Sequence, residues 1–150
     1  IDDSIRLAKI LREAGVDLVD CSSGGLRQST ALENAHRHPG YQVGYAAAIR
    51  REAGIATGAV GLILDAHQAE AILVAGQADL IILGRQALYD PYWPHHAAQA
   101  LGADPDFRLW DVSAGWWLAR RRAGLEAIGI SGAGTPTGFE AGLDQRKMKG

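Results

Sequence analysis

Three short β-type segments alternate with helical segments along roughly the first hundred residues of this chain. Residues 16–21, 55–61 and 78–83 are rich in β-branched or small apolar side chains, and a cluster of glycine or serine ends each segment. The stretches between them carry apolar residues at helical spacing and stop at glycine. Strands joined by helices pair in parallel through right-handed crossovers. The alternation therefore predicts an α/β fold.

The periodicity leaves two parallel architectures open. Strands that recur at this spacing suit consecutive βα units of a barrel, and they also suit an open doubly wound sheet. Residues 78–83 are almost wholly apolar, which predicts a strand covered on both of its faces.

The composition narrows the classes of partner. The chain has 150 residues, 47% of them hydrophobic and 21% charged, which is typical of one globular unit with a core. A formal net charge of -2 gives no long-range attraction to nucleic acid or to an anionic membrane, so we expect a small-molecule ligand instead. The single cysteine, Cys21, excludes an internal disulfide, and we expect a cytoplasmic protein.

Glycines at two strand ends are the candidate binding site. Val60 and Gly61 end the second β-type segment, and Gly84 with Arg85 ends the third. Ligands of parallel α/β folds bind at the carboxyl ends of the strands. Glycine lets backbone N–H groups approach a phosphate closely, and an arginine adds a permanently charged clamp. The alternative is structural, because tight strand-to-helix turns also require glycine.

Four sequence blocks, in order, resemble one enzyme family. They are VDLVDCSSG at 16–24, PGYQV at 39–43, ATGAVG at 56–61 and ADLIILGR at 78–85, and DPYWP at 90–94 extends the match. Together they resemble the bacterial thermophilic-like branch of the old yellow enzyme family over about residues 1–102. Residues beyond 122 show no such resemblance.

The resemblance implies a fold, a cofactor and a reaction. The family's (β/α)8 barrel binds flavin mononucleotide (FMN), which NAD(P)H reduces and which then passes hydride to the activated double bond of an enone-like acceptor. This chain would be the C-terminal portion, about the last three βα units. Val60, Gly61, Gly84 and Arg85 fall where the family binds the FMN phosphate. The family's catalytic histidines and tyrosine belong to earlier units, so we expect no catalytic residue, no metal site and no turnover from this chain alone.

Other polar residues have ordinary structural explanations. Cys21 lies in an apolar strand, which predicts a buried and unreactive thiol. His36 and His38 fall in a loop and are expected at the surface. His95 and His96 are adjacent, so on a helix they are expected to point in different directions and to be solvated.

The C-terminal part is predicted to differ from the rest. We assign residues 1–117 to the barrel units and residues 118–150 to a flexible tail, because glycine, alanine and polar residues alternate there without a period. Trp117 resembles aromatic residues that reach an active site in some family members, and it is a candidate substrate-pocket residue. The alternative is that Trp116 and Trp117 cover apolar surface.

Two other functions stay open. The chain could be a truncated, non-catalytic remnant or a half-barrel that binds phosphate ligands and associates with itself. It could also belong to another phosphate-binding barrel enzyme. Three strands alone leave two unpaired edges and much of a core face uncovered. We expect a homo-oligomer.

Overall fold

A computed structural model describes residues 1–23 and 37–130 of the chain. The chain divides into two compact units, residues 1–91 and 92–150. The first unit contains α1 (Asp2–Glu13), β1 (Leu18–Cys21), α2 (Val43–Ala53), β2 (Ala56–Ala59), α3 (Ala66–Val74), β3 (Leu80–Ile81) and α4 (Arg85–Tyr89). The second contains α5 (Trp93–Ala100) and α6 (Val112–Ala127).

The sheet of the first unit is parallel, with strand order β1-β2-β3. Leu18 pairs with Ala56 and Cys21 with Ala59, and β2 continues the sheet by pairing Ala59 with Ile81. Helices connect the successive strands, so the predicted α/β organisation with parallel strands is confirmed.

Local signals in the sequence explain where the helices begin and end. Asp65 precedes α3, and its side chain caps the helix by accepting a 3.0 Å hydrogen bond from the Gln68 backbone N–H. Gly54 ends α2 with φ 64°. The helix α1 begins at Asp2, and Ile1 occupies its cap position without a side-chain hydrogen bond.

The core of the first unit lies between the helices and one face of the sheet. Cys21, Thr57 and Ala59 are buried on this face, and α2 packs against both β1 and β2. The helices contribute small or branched apolar side chains, namely Ile5 and Ala8 of α1, Ala46, Ile49 and Ala53 of α2, and Ala66, Ala69 and Ile72 of α3. Small residues allow the helices to approach the sheet closely.

The opposite face of the sheet is only partly covered. A Cβ at Gly58 would overlap the Ile82 side chain and would lie 3.9 Å from Leu18 Cδ2, so these three residues share that face. Leu80 of β3 is 53% exposed and Asp20 of β1 is also exposed. The prediction that residues 78–83 are covered on both faces is therefore wrong in this chain, because no described helix packs over this side.

The second unit is organised around a buried carboxylate and an indole ring. Asp104 is buried and accepts hydrogen bonds from the backbone N–H groups of Arg108 (2.6 Å) and Leu109 (3.1 Å). The ring centroids of His95 and His96 lie 4.5 and 5.7 Å from that of Trp110. Both histidines are half-buried. The expectation that both are solvated holds only in part, because each ring lies beside the Trp110 indole.

The helix α6 crosses the predicted domain boundary. Residues 118–127 continue the helix that begins at Val112, and residues 131–150 of the predicted tail lie outside the described residues, as does His36. Among the helices described, none is both long and apolar enough to cross a membrane.

Candidate functional site

The carboxyl ends of β2 and β3, where the sequence places the candidate site, lie side by side in the sheet. The Ile82 N–H donates a 2.8 Å hydrogen bond to the Ala59 carbonyl oxygen, which keeps β2 and β3 paired up to their carboxyl ends. Gly61 follows Ala59 by two residues, and Gly84 follows Ile82 by two residues. The fold thus brings the two glycines to the ends of neighbouring parallel strands.

The turn after β2 presents backbone N–H groups that are not used inside the fold. Gly61 has φ 116° and Leu62 has φ 54°, so two successive residues adopt left-handed or related conformations. Among the residues that the structure describes, none accepts a hydrogen bond from the backbone N–H of Gly61 or Leu62. Successive N–H groups in such a turn form a concave site that attracts anions.

The turn after β3 is open in a similar way. Gly84 immediately precedes α4, and no atom lies within 4 Å of a Cβ built on it. Within the described parts of the chain, the N–H groups of Gly84 and Arg85 have no acceptor, and the exposed Arg85 side chain forms no ion pair. Arg50, by contrast, is committed to the Asp79 carboxylate through bonds of 2.9 and 3.0 Å.

Gly61 is enclosed on its inner side by the segment that precedes α2. A Cβ at Gly61 would lie 3.0 Å from Tyr41 Cε1 and 3.0 Å from Gln42 Nε2. The Gly40 N–H also donates a 2.8 Å hydrogen bond to the Gly61 carbonyl oxygen. The structure therefore supports the structural explanation for this glycine, because any side chain here would displace its neighbours.

The donor set fits a phosphate monoester such as that of FMN. A phosphate offers several acceptor oxygens and negative charge, and this edge offers unpaired N–H groups from two turns together with a free guanidinium. The open space at Gly84 leaves room for an oxygen to approach the backbone. Val60, half-buried beside Gly61, lines the same turn.

A separate groove lies beside β1. Its volume is about 450 Å³, and it is lined by α1, α2 and the end of β1, including Cys21, Ser22 and Ser23. None of the four predicted phosphate-site residues lines this groove. The walls of the groove offer no cationic side chain, whereas Arg85 follows the end of β3.

The Cys21 thiol is not poised for reaction. It is buried, and burial, followed by the nearby Asp20 carboxylate, raises the pKa of the thiol. The predicted burial of Cys21 is confirmed, and a raised pKa favours the protonated, less nucleophilic thiol.

Trp117 lies on α6 in the second unit, where it is 64% exposed. Its ring packs edge-on against Trp116 with the centroids 4.5 Å apart, and the Arg120 guanidinium lies 4.0 Å from the Trp116 ring centroid. Both tryptophans are half-exposed or more, and their roles as pocket residues or as cover for apolar surface both stay predictions.

Gln42 is the site-neighbouring residue that the sequence patterns did not single out. It is 4% exposed, and its side-chain oxygen accepts a hydrogen bond from the Ser23 backbone N–H. The only signal for it in the sequence was its place in the block PGYQV, which gave no role to any one residue.

Comparison with known proteins assigns the family. A family model described as the NADH:flavin oxidoreductase / NADH oxidase family matches residues 1–104. The NADPH dehydrogenase of Geobacillus thermodenitrificans (strain NG80-2) is 51% identical over 102 residues, which are 68% of this chain and 29% of that protein. The NADPH dehydrogenase of Bacillus subtilis (strain 168) is 48% identical over 104 residues, 69% of this chain and 30% of that protein.

The chain therefore spans about three tenths of the length of the curated relatives that it matches. The flavin in the family's description and the NADPH in the relatives' name agree with the cofactors that the resemblance implies. The match covers more than half of the chain, including both glycine-ended turns and the block PGYQV. The chain belongs to the NADH:flavin oxidoreductase / NADH oxidase family, the old yellow enzyme family.

Proposed function

We propose that this chain supplies the FMN-phosphate-binding strand ends of an NAD(P)H-dependent flavin oxidoreductase of the ene-reductase type. In this proposal β1, β2 and β3 are consecutive strands of a (β/α)8 barrel. The loops after the seventh and eighth strands of such barrels often hold phosphate. The order of parallel strands and the family assignment support this placement.

One observation carries the proposal. Two adjacent strand ends present backbone N–H groups without an acceptor among the described residues, and the exposed Arg85 follows directly on the second. Gly61 and Leu62 would donate from one turn and Gly84 and Arg85 from the other. The guanidinium would add a charge-assisted pair to the phosphate oxygens.

The residues of this chain would bind and orient, while the chemistry belongs to the cofactor. When bound, FMN supplies hydride transfer from NAD(P)H to the activated C=C of an enone-like acceptor. Arg85 and the glycine turns would fix the phosphate end and thereby the position of the rest of the molecule. We assign no proton-transfer step to this chain.

Trp117 remains a proposal as a substrate-pocket residue. Its exposed ring could cover an apolar acceptor, and the pair that it forms with Trp116 gives the helix a broad aromatic surface. We also propose a homo-oligomer, in which this aromatic surface faces a second copy of the chain. A location in the cytoplasm belongs to the same proposal.

The second candidate function is a half-barrel that binds phosphate ligands without catalysis and associates with itself. The partly covered sheet face favours it, as do the outer edges of β1 and β3, which no other described strand pairs, because such surfaces tend to pair with another chain. In this second candidate the phosphate site is the same, but it has no preference for a flavin.

Titration of the purified chain with FMN and with riboflavin, followed by flavin fluorescence, tests the proposal. Riboflavin lacks only the phosphate, so we expect FMN to bind at least about tenfold more tightly, equivalent to about 1.4 kcal/mol. Arg85→Ala should remove most of that preference, and Arg51→Ala, which changes an exposed arginine of α2, should keep it. Equal affinity for the two flavins would contradict the proposal.

The same preparation separates the two candidate functions. A non-catalytic half-barrel should give up FMN to inorganic phosphate and should scatter light as an assembly. A monomer that prefers FMN to riboflavin, and from which inorganic phosphate does not displace FMN, would argue against the non-catalytic half-barrel. Turnover of NADPH by the chain alone would overturn the expectation that catalytic groups lie elsewhere.

A further inference from the structure

Gln42 is a buried polar residue that the proposed function leaves without a role. It precedes α2 and is 4% exposed, yet its side chain makes no capping bond to that helix. A buried carboxamide is costly unless it is hydrogen-bonded, and a helix cap is the usual use of a polar side chain at this position. Its burial therefore needs another explanation.

The carboxamide of Gln42 lies between the loops that follow β1 and β2. Its oxygen accepts a hydrogen bond from the Ser23 backbone N–H, two residues beyond the end of β1. On the other side, its nitrogen lies 3.0 Å and its Cγ 3.2 Å from where a Cβ on Gly61 would be. The Gln42 side chain therefore lies against both the loop that follows β1 and the turn that follows β2.

The backbone next to Gln42 reinforces this contact. Gly40, two residues earlier, donates its N–H to the Gly61 carbonyl oxygen at 2.8 Å. The Gly61 carbonyl oxygen thus accepts a hydrogen bond, and the Gln42 side chain fills the space that a side chain at Gly61 would need. The hydrogen bond orients the peptide that carries the Leu62 N–H, and the Gln42 side chain packs beside the same turn.

We infer that Gln42 is a positioning residue for the phosphate site, which couples the loop after β1 to the turn at Gly61. The inference rests on the proposed function, because it concerns the same phosphate site. Gln42 needs no contact with the ligand for this role. Loss of its side chain should loosen the turn that binds phosphate and should leave contacts to the flavin ring unchanged.

The ratio of FMN affinity to riboflavin affinity is the readout that distinguishes positioning from general stability. Gln42→Met keeps a side chain of similar length without the acceptor for Ser23. We expect it to weaken FMN binding at least fivefold and to change riboflavin binding less than twofold. Should this variant fail to fold, Gln42→Asn keeps the carboxamide on a side chain one methylene shorter, and the ratio should fall in the same direction.

Asp79→Asn is the matched control. Asp79 lies near the amino-terminal ends of the strands, where its carboxylate accepts a hydrogen bond from the Thr57 N–H. The substitution weakens this end of the sheet and leaves the turns at the carboxyl ends unchanged. It should lower the melting temperature and keep the affinity ratio. If Gln42→Met lowered both affinities equally, or neither, the positioning role would be overturned while the phosphate site stood. A wild-type chain without preference for FMN would overturn both.

Discussion

The backbone N–H of Gly40 donates a 2.8 Å hydrogen bond to the carbonyl oxygen of Gly61. This bond joins the segment before α2 to the turn after β2, although 21 positions separate the two residues in the numbering. It directs the Gly61 carbonyl inward, toward the protein. The N–H groups of Gly61 and Leu62 have no acceptor in the part of the chain that the structure describes.

The first prediction concerns Gly61→Ala. The φ of 116° is unfavourable for a side chain, and a Cβ would lie 3.0 Å from both Tyr41 and Gln42. We expect a loss of unfolding free energy of about 1–3 kcal/mol, together with weaker FMN binding. Chemical denaturation measures the first effect and a flavin titration measures the second.

Gly44→Ala provides the control for that substitution. Gly44 lies inside α2, and no atom lies within 4 Å of the place that its Cβ would take. Gly44 is the second residue of α2, and alanine has a higher helix propensity than glycine, so this variant should be no less stable than the wild type and should bind FMN as the wild type does. If both glycine variants lost stability to the same degree, steric closure around Gly61 would not be the cause.

Gly84→Ala should behave differently from Gly61→Ala. A Cβ at Gly84 meets nothing within 4 Å, so the added methyl group occupies open space in the free protein. We expect a melting temperature close to that of the wild type and a clear loss of FMN affinity, because the methyl group lies where phosphate would approach the backbone. A variant that binds FMN normally would place the phosphate elsewhere.

The ion pair of Asp79 predicts a pH dependence of stability. The hydrogen bond from Arg50, followed by that from the Thr57 N–H, lowers the pKa of the Asp79 carboxyl. A carboxyl whose pKa is lower in the folded state stabilises the fold above the ordinary Asp pKa, and this contribution disappears as pH falls through the lowered value.

Asp79→Asn removes this contribution. Urea denaturation between neutral and acid pH should give the wild type a higher free energy of unfolding than the variant at about pH 7. The difference between the two should shrink below about pH 4. Added salt should reduce the difference, because the Arg50 and Asp79 side chains are 41% and 33% exposed. A constant difference at every pH would mean that the lost contact is not electrostatic.

Cys21 offers a chemical probe of the core. It is the single cysteine in the chain, so any thiol signal belongs to it. Burial raises its pKa, and only the thiolate is nucleophilic. A thiol-reactive dye should therefore label the folded chain at least about tenfold more slowly than the unfolded chain at neutral pH. Equal rates would show that the β1 edge opens readily.

The sequence predicts the elements of the first unit because their signals are local. Apolar spacing, the Asp65 cap and the glycine after each helix act within a few residues, and α1, α2 and α3 form close to where these signals place them. The positions of the two glycine-ended turns were predictable for the same reason, since a glycine closely follows each apolar strand.

Contacts between distant segments could not be predicted in this way. The position of Gln42 over Gly61 depends on how the segment before α2 folds back on the sheet, which no local pattern encodes. The packing of His95 and His96 on Trp110 likewise depends on a loop, because helical spacing alone separates the two rings. The exposure of Leu80 depends on what covers the sheet, which the composition of β3 does not specify.

Backbone amide resonances provide the most direct measurement of the central claim that the turns after β2 and β3 hold the FMN phosphate. A two-dimensional amide spectrum of the labelled chain should be recorded during titration with FMN and, separately, with riboflavin. We predict that the amides of Gly61, Leu62, Gly84 and Arg85 shift with FMN and stay in place with riboflavin. FMN binding that leaves these four amides unmoved would contradict the claim.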